Sequence, residues 1–77
     1  MSIMEFTQSV AAPTEPLTRR ELVVLAELAE DQTLEEIASR LFVSRNTVKS
    51  QVRSVYRKIG VSTRAEAVAW AELAGVR

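Results

Sequence analysis

The pattern Thr-x-x-Glu occurs three times in this chain, at Thr18 and Glu21, Thr33 and Glu36, and Thr63 and Glu66. In such a capping box the threonine hydroxyl accepts from the backbone N–H three residues on. The glutamate returns to the threonine's own N–H, so two donors left bare by a first helical turn are satisfied together. Each box is followed by apolar residues at helical spacing, which makes three helix starts. Leu17 and Leu22 bracket the first box as a hydrophobic staple, and Leu22, Leu25, Ala26 and Ala29 form the stripe of a helix from about Arg19 to Glu30, ended by Asp31-Gln32. Leu34, Ile37, Ala38 and Leu41 give a short second helix. A third helix starts at Ser44, with Val43 stapling to Val48. It carries Val48, Val52, Val55 and Ile59 at i, i+4, i+7 and i+11, and Gly60 closes it as a left-handed C-cap. Only Phe42-Val43-Ser44 separates it from the second helix, too short a link for an antiparallel pair, so the two are expected to cross steeply. The predicted fold is an all-α, four-helix domain.

Residues 17–77 are assigned to that domain. Residues 1–16, with Pro13 and Pro16 flanking Thr14-Glu15 and no periodicity, read as a flexible tail or linker. About sixty folding residues bury only roughly 60% of their unfolded surface, so good caps and an economical core are required. The chain has no cysteine and no histidine. That removes disulfides, thiolate zinc sites, the catalytic thiol, the commonest general base and the commonest metal ligand; no cofactor or metal is expected. Glu35-Glu36 is the one adjacent carboxylate pair of helix two, but neighbouring helical residues diverge by about 100° and share no reaction centre. An enzyme is not expected. No apolar run reaches the eighteen or so residues that span a bilayer, and the start lacks a basic n-region, so a cytoplasmic protein without membrane contact is expected.

Charge is distributed very unevenly. Between Arg40 and Arg64 lie seven cations (Arg40, Arg45, Lys49, Arg53, Arg57, Lys58 and Arg64) and no acid; the remaining three cations share the rest of the chain with all ten acids. A formally neutral protein is thereby a dipole whose basic side suits a polyanion. A merely solvated charged face is the competing reading. The pI near 6.2 argues against nucleic acid only on average composition, because a screening length of about 8 Å lets DNA feel the nearer face. Nonspecific affinity should then be modest and salt-sensitive, and dependent on dimerisation or an upstream module.

The internal pattern of helix three sharpens this reading. Opposite its apolar stripe fall Asn46, Lys49, Ser50, Arg53, Ser54 and Arg57, long cations alternating with short hydrogen-bonding side chains. Cations attract phosphate and make bidentate contacts to guanine, while small hydroxyls let a helix approach base edges. Where the other helices place a glutamate, this one has Thr47, so no carboxylate would repel a phosphate at its amino terminus. Tyr56 lies at the edge of the apolar arc and is assigned to the core margin.

These residues resemble a known family. Leu17-Thr18-Arg19-Arg20-Glu21, Glu36-Ile37-Ala38, Leu41 through Lys49, Tyr56 through Val61 and Arg64 through Val68 are similar, in order and without gaps, to the DNA-binding domain of LuxR/GerE-type bacterial transcription regulators. The resemblance implies that helices two and three form a helix-turn-helix, with recognition helix 45–59 in the major groove of double-stranded DNA. It assigns base reading to Lys49, Ser50 and Arg53, and backbone contacts to Ser44, Arg45, Asn46, Thr47 and Arg57; Arg64 is grouped with these as a candidate, and Gln51, toward the side of the helix, either contacts a phosphate or is simply solvated. Two residues depart from the family pattern: Asp31, where members often have glycine, and Gln51, where many have histidine.

Helix four is apolar nearly all round. Ala67, Val68, Ala71 and Ala74 share one arc, assigned to the core; Ala69, Trp70 and Leu73 lie broadly opposite as a candidate dimer interface. The resembling family dimerises through this helix, which implies a homodimer on an inverted repeat, with RNA polymerase a further candidate partner. The alternative is that Trp70 folds back to cap a thin core. Two other functional readings stay open at this stage, a region-four-like promoter-binding domain of a sigma factor and a protein-interaction module with a basic face. A sigma domain would normally stop near the end of helix three.

Overall fold

The computed structural model describes residues 15–76, which form four helices: α1 Arg19–Ala29, α2 Leu34–Leu41, α3 Arg45–Ile59 and α4 Arg64–Ala74. The linker assigned to residues 1–16 lies outside the described residues except at Glu15 and Pro16. All three capping boxes form. The threonine hydroxyls of Thr18, Thr33 and Thr63 accept from the amides of Glu21, Glu36 and Glu66 at 3.1, 3.0 and 3.2 Å, and each glutamate closes the box in return. Glu66 also accepts from the Ser62 amide at 2.8 Å, and these backbone donors hold its carboxyl below the usual carboxylate range. Ser44 caps α3 without a box, accepting from the Thr47 amide at 3.0 Å.

The carboxyl ends repeat one device. A backbone N–H reaches the carbonyl five residues back, from Gln32 to Glu27, Val43 to Ala38, Val61 to Tyr56 and Val76 to Ala71. In every case the residue before that N–H has a left-handed backbone, with φ of 67° at Asp31, 59° at Phe42, 78° at Gly60 and 77° at Gly75. The chain's only two glycines stand at two of these positions. At the other two a side chain is held where L-residues meet a penalty of roughly 1–2 kcal/mol, less for aspartate. Asp31 thus stands at a position whose backbone favours glycine.

The core has two linked parts. Leu25, Ala29, Val55, Ile59, Ala67 and Ala71 join α1, α3 and α4; Val24, Leu28, Ile37, Ala38 and Val48 join α1, α2 and α3. The α3 stripe is buried as its spacing predicts, with Val52 and Tyr56 at the margin. The α1 stripe is rotated by one residue. Glu21, Val24, Leu25, Leu28 and Ala29 face inward, whereas Leu22, the expected start of the stripe, is 40% exposed and Leu17 packs on the first cluster instead. Apolar spacing alone does not reveal the rotation, because the inward position it turns on is an acid with a buried partner. On α4, Ala67 and Ala71 are buried and Val68 half-buried, but Ala74 is exposed, since α4 is capped by Gly75 just beyond it.

Candidate nucleic-acid interface

Alpha-helical geometry places Lys49, Arg53, Asn46, Arg57 and Ser50, in that angular order, within an arc of about 100° opposite Val48, Val55 and Ile59. All five are exposed. Because the valines and isoleucine anchor one side of α3 in both core clusters, the opposite side is left facing outward. Asn46, Lys49, Ser50 and Arg53 line a shallow depression of about 200 Å³, so the three predicted base-reading side chains surround one concavity with Asn46.

The structure divides the basic run into two groups. Arg45, Lys49, Arg53 and Arg57 are exposed and make no ion pair among the described residues. The other three are engaged by groups of the domain itself, Arg40 while staying exposed, which reduces the unpaired part of the sevenfold basic run to four cations among the described residues. Arg40 Nε pairs with Glu27 Oε1 at 3.1 Å across α2 and α1. The Arg64 guanidinium donates to the carbonyls of Leu28 and Gln32, closing the end of α1, so the predicted backbone contact at Arg64 competes with a structural role. Lys58 is buried. Its Nζ donates to Glu21 Oε1 at 2.8 Å and to the Pro16 carbonyl at 3.3 Å, and lies 3.9 Å from Glu15. Ser54, placed by its spacing on the polar face, is half-buried and donates to Glu21 Oε2 at 2.6 Å.

Glu21 is therefore the hub of a buried network that sequence spacing did not reveal. Its carboxylate accepts from Lys58, from Ser54 and from the Thr18 amide, and these donors, the lysine first, lower its pKa from 4.5 to about 2 against the opposing effect of burial. The signal was present in the sequence: Ser54, Lys58 and Gln51 lie three or four residues apart on one side of the valine stripe, a polar seam against a core. The network joins the first turn of α1 to the last turns of α3 and fixes the direction in which the exposed face points. Burial also raises the Tyr56 pKa, in keeping with its place at the core margin.

At the amino end of α3 the first turn holds no acid. Ser44 Oγ and Thr47 Oγ1 lie 2.9 Å apart, and both residues are exposed with Arg45 and Asn46 beside them. Gln51 differs from these. It is half-buried, and its Oε1 is enclosed with no hydrogen-bond partner among the described residues. On α4, Ala69 and Leu73 are exposed, Leu73 at 62%, but Trp70 is half-buried and packs against the first core cluster. The tryptophan thus folds back onto a thin core, and the exposed apolar surface of α4 is smaller than its sequence suggests.

The sequence and the fold of these helices have counterparts among known proteins. A family model, GerE, described as bacterial regulatory proteins of the luxR family, matches residues 15–71. The chain belongs to the LuxR family. The match runs from before α1 into α4, the helix that distinguishes this reading from a sigma-factor domain. Over 57 residues the chain is 53% identical to a probable transcriptional regulatory protein, SgaR, of Hyphomicrobium methylovorum, covering 74% of this chain and 27% of that one. It is 41% identical over 61 residues to the transcriptional regulatory protein LiaR of Bacillus subtilis, covering 79% and 29%. With the spore germination protein GerE of the same organism it shares 44% identity over 52 residues, covering 68% and 70%. Matched segments thus span under a third of the first two relatives and about two thirds of GerE. The crystal structure of the response regulator ChrA, from a heme-sensing two-component system, shares the fold with a TM-score of 0.77 at 29% identity, covering 97% of this chain and 37% of that one. The chain is a helix-turn-helix domain of the LuxR family of transcription regulators, and these relatives are regulators rather than enzymes. No described helix is long and apolar enough to cross a membrane.

Proposed function

We propose that this LuxR-family domain binds double-stranded DNA sequence-specifically in the cytoplasm, with α3 in the major groove, as a homodimer on an inverted repeat. The observation that carries the reading is the exposed face of α3, where Lys49, Ser50 and Arg53 surround one depression and no acid lies within reach along the chain from residue 37 to 65. Lys49 and Arg53 supply donors matched to guanine O6 and N7, and Ser50 is short enough to let the helix approach. Ser44, Arg45, Asn46 and Thr47 surround an acid-free helix amino terminus suited to one phosphate, and Arg57, about 12 Å along the helix from Lys49, meets the backbone farther on. Gln51 contributes at most from the flank, its carbonyl oxygen being enclosed. Arg64 drops out of the contact set because its guanidinium is engaged at the end of α1.

Lys49→Ala and Arg57→Ala are expected to fail differently in DNA titrations. Loss of Lys49 should cost about 1–3 kcal/mol on the preferred site and relax preference at one base pair. Loss of Arg57 should weaken all sequences about equally and lower the salt slope by roughly one. Equal, sequence-independent losses for both variants would remove Lys49 from the reading set.

Dimerisation is assigned to the exposed part of α4, Ala69 and Leu73, with Trp70 at its inner edge. A patch from one short helix is small, so the pair should be weak in solution and held chiefly by engaging both half-sites at once. Because Leu73 is 62% exposed, Leu73→Glu should keep its helical circular dichroism while losing cooperative occupancy of a two-half-site duplex. Unchanged cooperativity would place the dimer contact elsewhere.

A further inference from the structure

Phe42 is 94% exposed, by far the barest of the large apolar side chains described. Its neighbours behave otherwise, since Leu41 and Val43 both pack against the second core cluster. The Val43 amide closes α2 onto Ala38 at 3.0 Å and holds Phe42 left-handed at φ 59° and ψ 42°, a conformation a bulky L-residue rarely adopts. Glycine or asparagine would fit this backbone better, and the aromatic ring gains no burial within the domain. Both the conformation and the exposure are thus unfavourable for the folded chain by itself.

What surrounds the ring identifies its partner. Phe42 stands two residues ahead of Ser44, the cap of α3, and three ahead of Arg45, which is exposed and makes no ion pair among the described residues. The sequence around it is free of acids from residue 37 to 65. A ring set in such a rim is complementary to a polyanion that also offers apolar edges, and the deoxyribose of a DNA strand offers C–H faces between its phosphates. Resting on the DNA-binding reading above, we propose that Phe42 packs on the sugar edge of the strand whose phosphates meet Ser44, Arg45 and Thr47. It is an apolar clamp that sets the entry of the recognition helix and reads no base. A ring laid on one sugar removes on the order of 50 Å² of apolar surface from water, about a tenfold gain in affinity.

The test uses the 77-residue chain and its Phe42→Asn, Phe42→Gly and Phe42→Leu variants, with two duplexes, a half-site selected from a random pool and an unrelated sequence, titrated over a range of salt. Phe42→Asn and Phe42→Gly should raise or preserve the thermal midpoint, because the backbone strain is relieved. Both should bind the two duplexes about tenfold more weakly with an unchanged salt slope, since no charge is lost. Phe42→Leu should fall between them and the parent chain. The proposal is overturned if the asparagine variant binds like the parent, if the loss is confined to duplexes with a thymine at one position, or if its midpoint falls. It is also overturned if the variant binds normally but no longer supports transcription, which would make the ring a protein contact. Failure of the parent chain to bind either duplex would remove the DNA reading itself, an outcome distinct from parent and variant binding alike.

Discussion

Replacing Glu21 with alanine is expected to destabilise the domain by about 3–5 kcal/mol, measured by urea denaturation, because it leaves the buried Lys58 ammonium without its carboxylate and removes one arm of the first capping box. A domain of this size has only about 3–9 kcal/mol in total, so the variant should be largely unfolded at 37 °C. Replacing both partners with methionine should recover much of the loss, since two apolar side chains of similar length leave no unpaired buried charge. The same carboxylate sets the acid limit. Its pKa is lowered from 4.5 to about 2 by Lys58, Ser54 and the Thr18 amide, so its contribution is complete above about pH 4.5 and is lost as pH falls toward 2. That contribution is roughly 3 kcal/mol. A Glu21→Gln variant should show a flatter decline across the same window, whereas an unchanged acid profile would shift the acid sensitivity to other carboxylates.

The double variant Lys49→Glu with Arg53→Glu should lose at least about a hundredfold in affinity for a selected site, two reading contacts of 1–3 kcal/mol each being replaced by charges that repel phosphate. Its thermal midpoint should stay close to that of the parent chain, because neither residue has an ion pair among the described residues and both are exposed. The two variants therefore separate the halves of the basic run, with Glu21 acting on the cation that holds the fold and the double variant on the cations that face outward. Retained affinity in the double variant would require a binding surface other than α3.

Helix starts were legible in the sequence, because each carries a threonine or serine cap and these are local chemistry that tertiary context did not override. The exposed face of α3 was legible for the same reason, its valine stripe leaving little choice of which side is buried. Pairings over long sequence separation were not. Lys58 and Glu21 are thirty-seven residues apart, and although the seam of Gln51, Ser54 and Lys58 beside the valine stripe marks a polar edge to the core, nothing local names Glu21 as the acid that meets it. The structural role of Arg64 was hidden for the same reason, since its carbonyl partners lie at and just beyond the end of a helix far back in the chain. Trp70 shows the reverse problem: apolar all round, α4 offers two plausible inward arcs, and only packing against α1 and α3 shows that the tryptophan returns to the core and Ala74 does not. Phe42 passed as an ordinary loop residue because its exposure depends on a left-handed backbone that its side chain gives no reason to expect.

The central claim is that the Lys49, Ser50 and Arg53 face reads base pairs, and the most direct measurement is selection of bound duplexes from a random pool by the 77-residue chain and, in parallel, by its Lys49→Ala variant. The account predicts that the parent enriches a defined half-site, found singly or as an inverted repeat with centres about one helical turn apart, and that the variant enriches the same half-site with one position made degenerate. No enrichment by the parent, or an identical motif from both proteins, would contradict it.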